Sequence, residues 1–517
     1  MRPIAHAALT LTLLLSCAAR AQPRPEADVP AGNAFHLEPG RNAVGFRLLE
    51  GQDRSRAVTG GVSATAHPRP VRTYVWYPAR GTPRTMRFGR YAELADGDIW
   101  PAEISGSLRG ALTYSHRPLA RALGPAGYEA LLQRPVLAAE NADPLKGPFP
   151  LIVLGQGWSI EPAISLAALA EYLAGRGFVV AATPLVGTNS PIARVEAMDL
   201  ETEVRDLEFV IARARELPFV SPDKLGVIGP DMGGMAGLVL TMRNRDVDAF
   251  VGMPAGILSE HPSGLPRSAP GYDPLALRVP WLQIMPAPAA TPPTGSSTPS
   301  LFDTAAYSER YLLLTPDMVH TDITIDGLIE GRSRMVGVPQ ATPTGSEGQR
   351  AFRPYVLNFL TAFLGPDDDS RAKALAFLSR APEDSGWKMT LEHRPAAPAS
   401  ITYEQFVEAV VAGRASEAIA RLRSEAAVEP NHVMLSHESL QRLSLMLLFT
   451  WGHPKEAIPV IELMMERYPE PGPPGLLAEA HAASSDVAGA IDLYSKYLEQ
   501  NPDDANVRAR LEELRKQ

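Results

Sequence analysis

Apolar runs and helical stretches alternate along the middle of the chain. Residues 151–154 and 178–181 are continuous apolar runs, which are typical of strands buried on both faces of a parallel sheet. The segments 166–173 and 194–217 carry apolar residues at the spacing of helices. This alternation of strand and helix predicts an α/β protein with a doubly wound, mostly parallel sheet and right-handed crossovers.

The same pattern continues on both sides of this segment and sets the limits of the predicted sheet domain. Residues 81–147 contain helical pieces but no regular strand pattern, and we interpret them as an insertion over the sheet edge. We expect the domain to span residues 41–365 and to end in a helix over 351–364. Further strands are predicted at 44–49, 71–77, 225–228, 249–251, 281–285 and 311–314.

Residues 400–517 follow a helical pattern that repeats internally. Each repeat has a small residue at a turn, an alanine five residues later and a proline 12 residues after that alanine. The repeat lengths are 39 and 33 residues. The alanine lets two helices pack closely, and the proline ends the second helix. The matching positions are Gly413, Ala418 and Pro430, then Gly452, Ala457 and Pro469, then Ser485, Ala490 and Pro502.

This repeat resembles the tetratricopeptide repeat, whose period is near 34 residues. The resemblance implies an all-α array of helix pairs that binds a protein partner, mediates assembly or caps the sheet domain. Residues 366–399 lie between the sheet domain and the array. They end in a proline-rich stretch, and we interpret them as a linker.

The first 21 residues have the pattern of an export signal. Arg2 supplies a positive charge, residues 7–15 form a short apolar run, and residues 19–21 give the small-x-small pattern for cleavage. The protein is then periplasmic or extracellular, with a flexible leader over 22–40 that is rich in proline and polar residues. An alternative remains open, because the residues leading to Cys17 resemble a bacterial lipobox and would give a lipid anchor there.

Composition and charge narrow the function classes. The chain of 517 residues has a formal net charge of −9, which provides no basic surface for nucleic acid. Its 11 histidines are scattered without paired ligand spacing, so we predict no metal site and no cofactor. Cys17 is the only cysteine, and it lies inside the export signal, so disulfides are excluded from the processed chain. No apolar run is long enough to predict a transmembrane helix.

The segment 229–233, with the sequence Gly-Pro-Asp-Met-Gly, follows a predicted strand and leads into an apolar helix expected from about Gly233 onwards. Gly229 and Gly233 flank Asp231 at the spacing of a nucleophile elbow, a strained strand-to-helix turn that exposes one side chain above the sheet. Glycine at both positions lets the chain turn without a Cβ clash. The apex residue is an aspartate where a serine or cysteine is usual, and Asp231 is therefore the candidate nucleophile.

An oxyanion loop is expected directly after the first buried parallel strand. The chain reads Gly-Gln-Gly-Trp over residues 155–158 at this place. We expect the backbone N–H groups near Gly157 and Trp158, together with that of Met232, to form an oxyanion hole. Gln156 is a candidate substrate contact.

His320 is the candidate general base, because it follows the last predicted strand and is the only histidine between residues 262 and 392. The acid that orients such a histidine is missing. Pro254 stands where one branch of the fold carries it, and residues 286–289, Pro-Ala-Pro-Ala, offer nothing ionisable where the other branch carries it. Four other carboxylates could replace this acid only in an unusual triad arrangement. They are Asp303, Asp317, Asp322 and Asp326.

The region 44–364 resembles secreted bacterial α/β-hydrolases of the dienelactone-hydrolase and platelet-activating-factor-acetylhydrolase type. The resemblance rests on residues 72–78, the strand and glycine loop at 151–157, the elbow, the segment 235–254 and His320. It implies an esterase with a serine or cysteine nucleophile acting on a small molecule. Asp231 and Pro254 depart from that pattern at two of the three triad positions.

Two functions are compatible with these departures. Haloalkane dehalogenases and epoxide hydrolases carry aspartate on this elbow, where the carboxylate attacks carbon and a histidine activates water to cleave the resulting ester. By this resemblance the protein is a hydrolase of small, ester-like organic substrates, with Asp231 as nucleophile and His320 as base. In the alternative, Asp231 is present because aspartate tolerates the turn dihedrals. The protein is then an inactive relative that acts through its pocket and its repeats.

Overall fold

The computed structural model describes residues 32–58, 66–81, 83–98, 117–157, 161–254, 264–285, 300–315, 318, 320–328, 345–380, 382, 389–469 and 475–517. The chain forms two compact units. The first comprises Met1–Asp273, Val279–Ser300 and Arg310–Arg394, and it contains the sheet. The second comprises Pro274–Arg278, Leu301–Glu309 and Pro395–Gln517, and it contains the helical repeats.

The first unit is organised around a ten-stranded sheet. In chain order the strands are β1 (Ala43–Leu49), β2 (Gln52–Val58), β3 (His67–Pro70), β4 (Thr73–Ala79), β5 (Ala138–Glu140), β6 (Phe149–Leu154), β7 (Val179–Ala182), β8 (Val220–Gly229), β9 (Ala249–Gly252), β10 (Trp281–Met285), β11 (Arg310–Leu314) and β12 (Thr390–Arg394). The large sheet has the order β12-β11-β10-β9-β8-β6-β7-β4-β1-β5, and β2 pairs with β3 separately. Neighbours from β7 to β11 are parallel, whereas β4 is antiparallel to β1 and β7. The predicted doubly wound α/β sheet is therefore confirmed.

Helices connect the parallel strands of the first unit and build the second. Within the described ranges, no helix is long and apolar enough to cross a membrane. The short α6 and the helices from α10 onwards belong to the second unit. In chain order the helices are α1 (Phe88–Asp96), α2 (Arg117–Leu132), α3 (Ala167–Ala174), α4 (Ala197–Arg215), α5 (Asp231–Arg243), α6 (Leu301–Thr304), α7 (Ile325–Leu328), α8 (Gly345–Leu364), α9 (Asp368–Leu378), α10 (Tyr403–Val411), α11 (Ala415–Ala426), α12 (His437–Leu445), α13 (Pro454–Arg467), α14 (Gly475–Ala483), α15 (Val487–Gln500) and α16 (Ala505–Leu514).

Burial on both faces explains the apolar runs at the centre of the sheet. The side chains of residues 151–154 in β6 and 179–182 in β7 are fully buried. A parallel strand covered on both faces is stabilised by apolar residues at consecutive positions, so these strands lack polar–apolar alternation. Helix α5 has apolar or small side chains on all sides, and it is buried from Met232 to Met242.

The interpretation of residues 81–147 as an insertion is corrected at its C-terminal end. Strand β5 lies within this segment and pairs in parallel with β1, where Ala138 is opposite Val44 and Glu140 is opposite Phe46. It forms one edge of the large sheet. A strand of three residues is too short to show a periodic pattern, so local sequence does not reveal it.

The linker expected at 366–399 is corrected for most of its length. This segment contains α9 and β12, and β12 forms the other edge of the sheet by pairing antiparallel with β11. His393 on β12 stacks on Tyr311 of β11 with ring centroids 4.5 Å apart. The sheet unit therefore continues to Arg394. The predicted linker is wrong here because an edge strand with polar side chains resembles a linker in composition.

The second unit contains the helix pairs α10 with α11, α12 with α13 and α14 with α15, followed by α16. The two helices of each pair are in contact, and the turn within each pair contains one residue with a positive φ: 77° at Gly413, 72° at Gly452 and 70° at Ser485. The repeated alanines are buried, and each repeated proline follows the end of the second helix. The repeat in the sequence therefore corresponds to a repeated backbone geometry.

A chain of buried polar side chains lies in the core of the first unit. The indole Nε1 of Trp76 donates to Tyr91 Oη at 2.6 Å, and Tyr91 Oη donates to Glu171 Oε1 at 2.7 Å. The second carboxylate oxygen of Glu171 accepts the N–H of Leu137 at 2.8 Å. Burial raises the pKa of Glu171 to about 7, although these hydrogen bonds oppose the rise.

We expect Glu171 to make the first unit less stable as the pH rises. The pKa of Glu171 increases from 4.5 to about 7 on folding, so the folded chain holds an extra proton between these values. The resulting stabilisation is fully present below pH 4.5 and is lost as the pH rises through about 7. Glu171→Gln should reduce this decrease in the free energy of unfolding by on the order of 3 kcal/mol.

Urea unfolding followed by tryptophan fluorescence across this pH range measures the effect. The exposed Glu216→Gln substitution is the control and should leave the pH dependence of wild type unchanged. An equally steep decrease in Glu171→Gln and wild type would show that Glu171 is not the titrating group.

Candidate active site at the end of β8

The strand–turn–helix expected around Asp231 is present. Strand β8 ends at Gly229, and α5 begins at Asp231, two residues earlier than the expected Gly233. Asp231 has φ 44°, and its side chain is half-buried. A Cβ on Gly229 would overlap the carbonyl of Gly233, and one on Gly233 would overlap the backbone at Gly155. Glycine is needed at these positions because three backbone segments approach one another closely.

The first N–H groups of α5 donate to backbone carbonyls of neighbouring loops. The N–H of Asp231 donates to Pro254 at 3.0 Å, and that of Gly233 donates to Gln156 at 2.7 Å. The N–H of Met232 donates to the carbonyl of Gly157 at 3.0 Å. These bonds satisfy groups that a helix start leaves without intrahelical acceptors.

The expected oxyanion hole is therefore closed in this structure. Met232 and Gly157 do come together, but the carbonyl of Gly157 takes the place that a substrate oxygen would occupy against the Met232 N–H. The N–H of Gly157 itself donates to the carboxylate of Glu161. Trp158, the third expected contributor, lies outside the described residues.

Two carboxylates outside the predicted site hold the loop after β6. Glu161 accepts the N–H of Gly157, and Glu203 on α4 accepts the N–H of Gln156 at 3.1 Å. Glu203 belongs to a buried polar stripe on α4 that also contains Asp199 and Asp206. Acidic residues at 199, 203 and 206 share one face of a helix predicted to cover the sheet, and this spacing is the signal that would have identified them.

The side chains of Glu203 and Gln156 contain buried polar atoms that make no hydrogen bond. Burial raises the pKa of Glu203 well above its ordinary value; the hydrogen bond from Gln156 opposes the rise, and the charges of Asp206, Glu161 and Asp231 add to it. Burial therefore favours the neutral form of the Glu203 carboxyl. Its Oε2, and both polar side-chain atoms of Gln156, are buried without a hydrogen-bond partner. Buried groups of this kind call for a specific explanation.

The expected base and acid are only partly located. The backbone of His320 begins a short 3₁₀ turn that ends at Ile323, and its side chain lies outside the described residues. Gln349 anchors this turn by donating from Nε2 to the carbonyls of Asp322 and Thr324. Asp322 is fully buried.

Three further acid candidates remain, namely Asp303, Asp317 and Asp326. Asp303 is exposed and belongs to the second unit, and Asp317 and the side chain of Asp326 lie outside the described residues. Pro254 contributes its carbonyl to the N–H of Asp231. Within the ranges described, no group of three or more His, Cys, Asp or Glu side chains is arranged to hold a metal ion.

Strand order and elbow together decide the fold. From β1 across the sheet the order is β1-β4-β7-β6-β8-β9-β10-β11, with β4 antiparallel and the strained turn directly after β8. The chain has the α/β-hydrolase fold. Ligands of such sheets bind beyond the carboxyl ends of the parallel strands, which is where Asp231 lies.

Comparison with known proteins adds little to this assignment. The chain matches no protein-family model, and no curated protein sequence matches it significantly. Among solved structures, a ferulic acid esterase from Streptomyces cinnamoneus is similar, with 22% sequence identity and a TM-score of 0.46. The match covers 66% of this chain and 98% of that chain. Because identity and TM-score are both low, the fold assignment rests on the strand order and not on this similarity.

A cleft of about 260 Å³ opens beyond the carboxyl end of β7, two strands along from β8. Its arginines are paired: Arg69 with Asp206 at 2.5 Å and Arg72 with Asp98 at 3.1 Å. Burial raises the pKa of Asp98 to about 7, although hydrogen bonds from its neighbours oppose the rise. The cleft is lined by Glu50, Arg69, Pro70, Arg72, Gly97, Asp98, Thr183, Pro184, Val186 and Asp206.

Gly233→Ala should separate α5 from the loop after β6. The added methyl group would overlap backbone atoms of Gly155 and Gln156, which cannot move independently of β6. We expect a loss of about 1–3 kcal/mol in the free energy of unfolding, measured by urea denaturation.

Gly475→Ala is the matched control, because Gly475 starts a helix and a Cβ there would approach nothing closer than 4.0 Å. It should be neutral or stabilising by up to about 1 kcal/mol. Equal stability of Gly233→Ala and wild type would mean that the close approach at the elbow is not required.

Proposed function

We propose that this protein is a hydrolase of small organic substrates in which the carboxylate of Asp231 attacks carbon. The observation that carries the proposal is the backbone of Asp231, a non-glycine residue held at φ 44° at the apex of the turn. Such backbone outliers are uncommon and concentrate at functional sites.

The proposed chemistry has two steps. An oxygen of Asp231 forms a bond to an electrophilic carbon of a haloalkane or epoxide. A halide departs with the bonding electron pair, whereas an epoxide oxygen stays on the substrate, keeps the pair and takes a proton from water. Water that gives a proton to His320 then adds to the carboxyl carbon of the resulting ester. The ester C–O bond breaks as the departing oxygen takes the proton held by His320, the product leaves as an alcohol, and Asp231 retains one oxygen from water.

The hydrogen bond from Met232 to Gly157 supports a slow second step. Ester hydrolysis places negative charge on the former carbonyl oxygen, and the N–H after the nucleophile is the donor that stabilises such a charge. Because the Met232 N–H donates to Gly157, the loop has to release it first. We therefore expect the alkyl-enzyme to accumulate during turnover.

Isotope labelling tests the role of Asp231 directly. Trypsin releases residues 225–243, in which Asp231 is the only side chain with a carboxyl group. After incubation with an epoxide or haloalkane in ¹⁸O-labelled water, tandem mass spectrometry should find an alkyl adduct on this peptide and then ¹⁸O in Asp231. His320→Ala should retain the adduct and incorporate no ¹⁸O.

Asp231→Asn should show neither signal, whereas the exposed Asp246→Asn is the matched control and should behave as wild type. Turnover without ¹⁸O in the peptide would reject Asp231 as the nucleophile. Absence of both turnover and adduct with p-nitrophenyl esters, epoxides and haloalkanes would reject the hydrolase.

The closed oxyanion loop favours a second candidate, a non-catalytic protein that binds a small ligand at the elbow. In that case, the N–H groups of Met232 and Gly157 have a structural role. The outcome that identifies it is a thermal shift with substrate analogues in the absence of turnover. This shift should be altered by Asp231→Ala.

We also propose that the chain is exported and processed after Ala21, and that its repeats, which resemble tetratricopeptide repeats, bind a protein partner. The support is the signal pattern in residues 1–21, which lie outside the described residues, and the repeated helix pairs. Mass spectrometry of protein from its producing cell should find Gln22 at the N-terminus. A lipid-modified Cys17 would identify the alternative, and an intact Met1 would contradict both.

A further inference from the structure

Arg353 is a buried guanidinium without a carboxylate partner. It lies on α8, is 2% exposed, and donates from Nη2 to Gln349 Oε1 at 2.6 Å, while its Nε has no hydrogen-bond partner. Among the residues that the structure describes, none of the carboxylates lies within salt-bridge distance of it. An unpaired buried charge destabilises a protein unless another group neutralises it.

The charges around Arg353 are positive. Arg176 and Arg353 share the ring of Tyr172, and their Cζ atoms lie 3.8 Å and 5.9 Å from its centroid. Burial lowers the pKa of Arg353 to about 10; Tyr172 opposes this change, and Arg350 and Arg176 add to it. Arg350 is exposed, so the cluster reaches the protein surface.

His36 joins this cluster from the N-terminal segment. It has φ 49°, is half-buried, and is the only described histidine with a positive φ. Burial lowers the pKa of His36, and the charges of Arg134, Arg350 and Arg353 lower it further. A carboxylate near this cluster is the exposed Glu38. Burial raises the pKa of Tyr172, and the charge of Glu38 adds to this rise.

We infer that His36, Arg176, Arg350 and Arg353 form a binding site for a small tetrahedral oxyanion such as phosphate, with Arg353 as its central ligand. Guanidinium groups bind phosphate oxygens through planar, paired N–H donors, and the unpartnered Nε supplies a donor of this kind. A free inorganic ion and a phosphate monoester share this chemistry. Binding would neutralise the charge that the fold leaves buried.

Gln349 connects this site to the turn that carries His320. Its Oε1 accepts from Arg353, while its Nε2 donates to the backbone carbonyls of Asp322 and Thr324. An anion that fixes Arg353 therefore also fixes Gln349 and the turn it supports. The site is tested in the absence of any substrate, so the result does not depend on whether the protein is a hydrolase.

Thermal unfolding and calorimetry of the full chain with inorganic phosphate test the inference. Phosphate should raise the melting temperature saturably, because a ligand that binds only the folded state stabilises it by mass action. Chloride at the same ionic strength should have no such effect. Methyl phosphate should bind as well if the site accepts an ester, and only inorganic phosphate should bind if the site is restricted to the free ion.

Three variants identify the residues that bind the anion. Arg353→Met should weaken phosphate binding by at least about tenfold, as expected for the loss of charge-assisted hydrogen bonds. Arg350→Gln should weaken it less, by about threefold to tenfold. The exposed Arg442→Gln, in the second unit, is the matched control and should bind as wild type. Without phosphate, Arg353→Met should be at least as stable as wild type, since it removes an unpaired buried charge.

A shift that chloride reproduces at equal ionic strength, or one that both Arg353→Met and Arg350→Gln retain in full, would overturn the inference. No response of wild type to phosphate would also overturn it, and destabilisation by Arg353→Met would then show that Arg353 serves packing against Tyr172. If Arg353→Met fails to fold, the exposed Arg350 provides the deciding variant.

Discussion

Backbone hydrogen bonds between the first turn of α5 and the loop after β6 hold the candidate site together. Met232 and Gly233 donate to Gly157 and Gln156, so the helix start is satisfied by the loop instead of by water or a ligand. This contact is possible only where glycines allow backbone to approach backbone. The same bonds use the donor that an acyl-transfer enzyme directs at its oxyanion. One contact thus stabilises the elbow and restricts its chemistry.

The central strands and the repeats could be predicted because they depend on local pattern. β6 and β7 are apolar at consecutive positions, and the turn residues Gly413 and Gly452 recur with a fixed spacing to an alanine and a proline. The edge strands could not be predicted. β5 has three residues, and β12 is polar, so each is defined by the strand it pairs with and not by its own sequence.

The candidate site could likewise be predicted only in part. The position of Asp231 follows from two glycines at a recognisable spacing, and its positive φ agrees with that expectation. The orientation of the peptide at Gly157 is not encoded in any local pattern, since glycine permits several orientations. It is set by Glu161 and by contacts with α5, and Glu203 reaches Gln156 from a helix 47 residues further along the chain. Tertiary contacts of this kind decide which N–H groups a site can offer.

Strand β12 determines where this chain can be divided. It covers β11, whose apolar residues would otherwise leave an unpaired row of backbone donors and acceptors at the margin of the sheet. β12 presents charged side chains on that outer margin, including Glu392 and Arg394. A fragment ending at residue 365 would expose β11 as an apolar edge strand, and it would self-associate through that strand. A fragment of the sheet unit that stays monomeric has to retain the chain through Arg394.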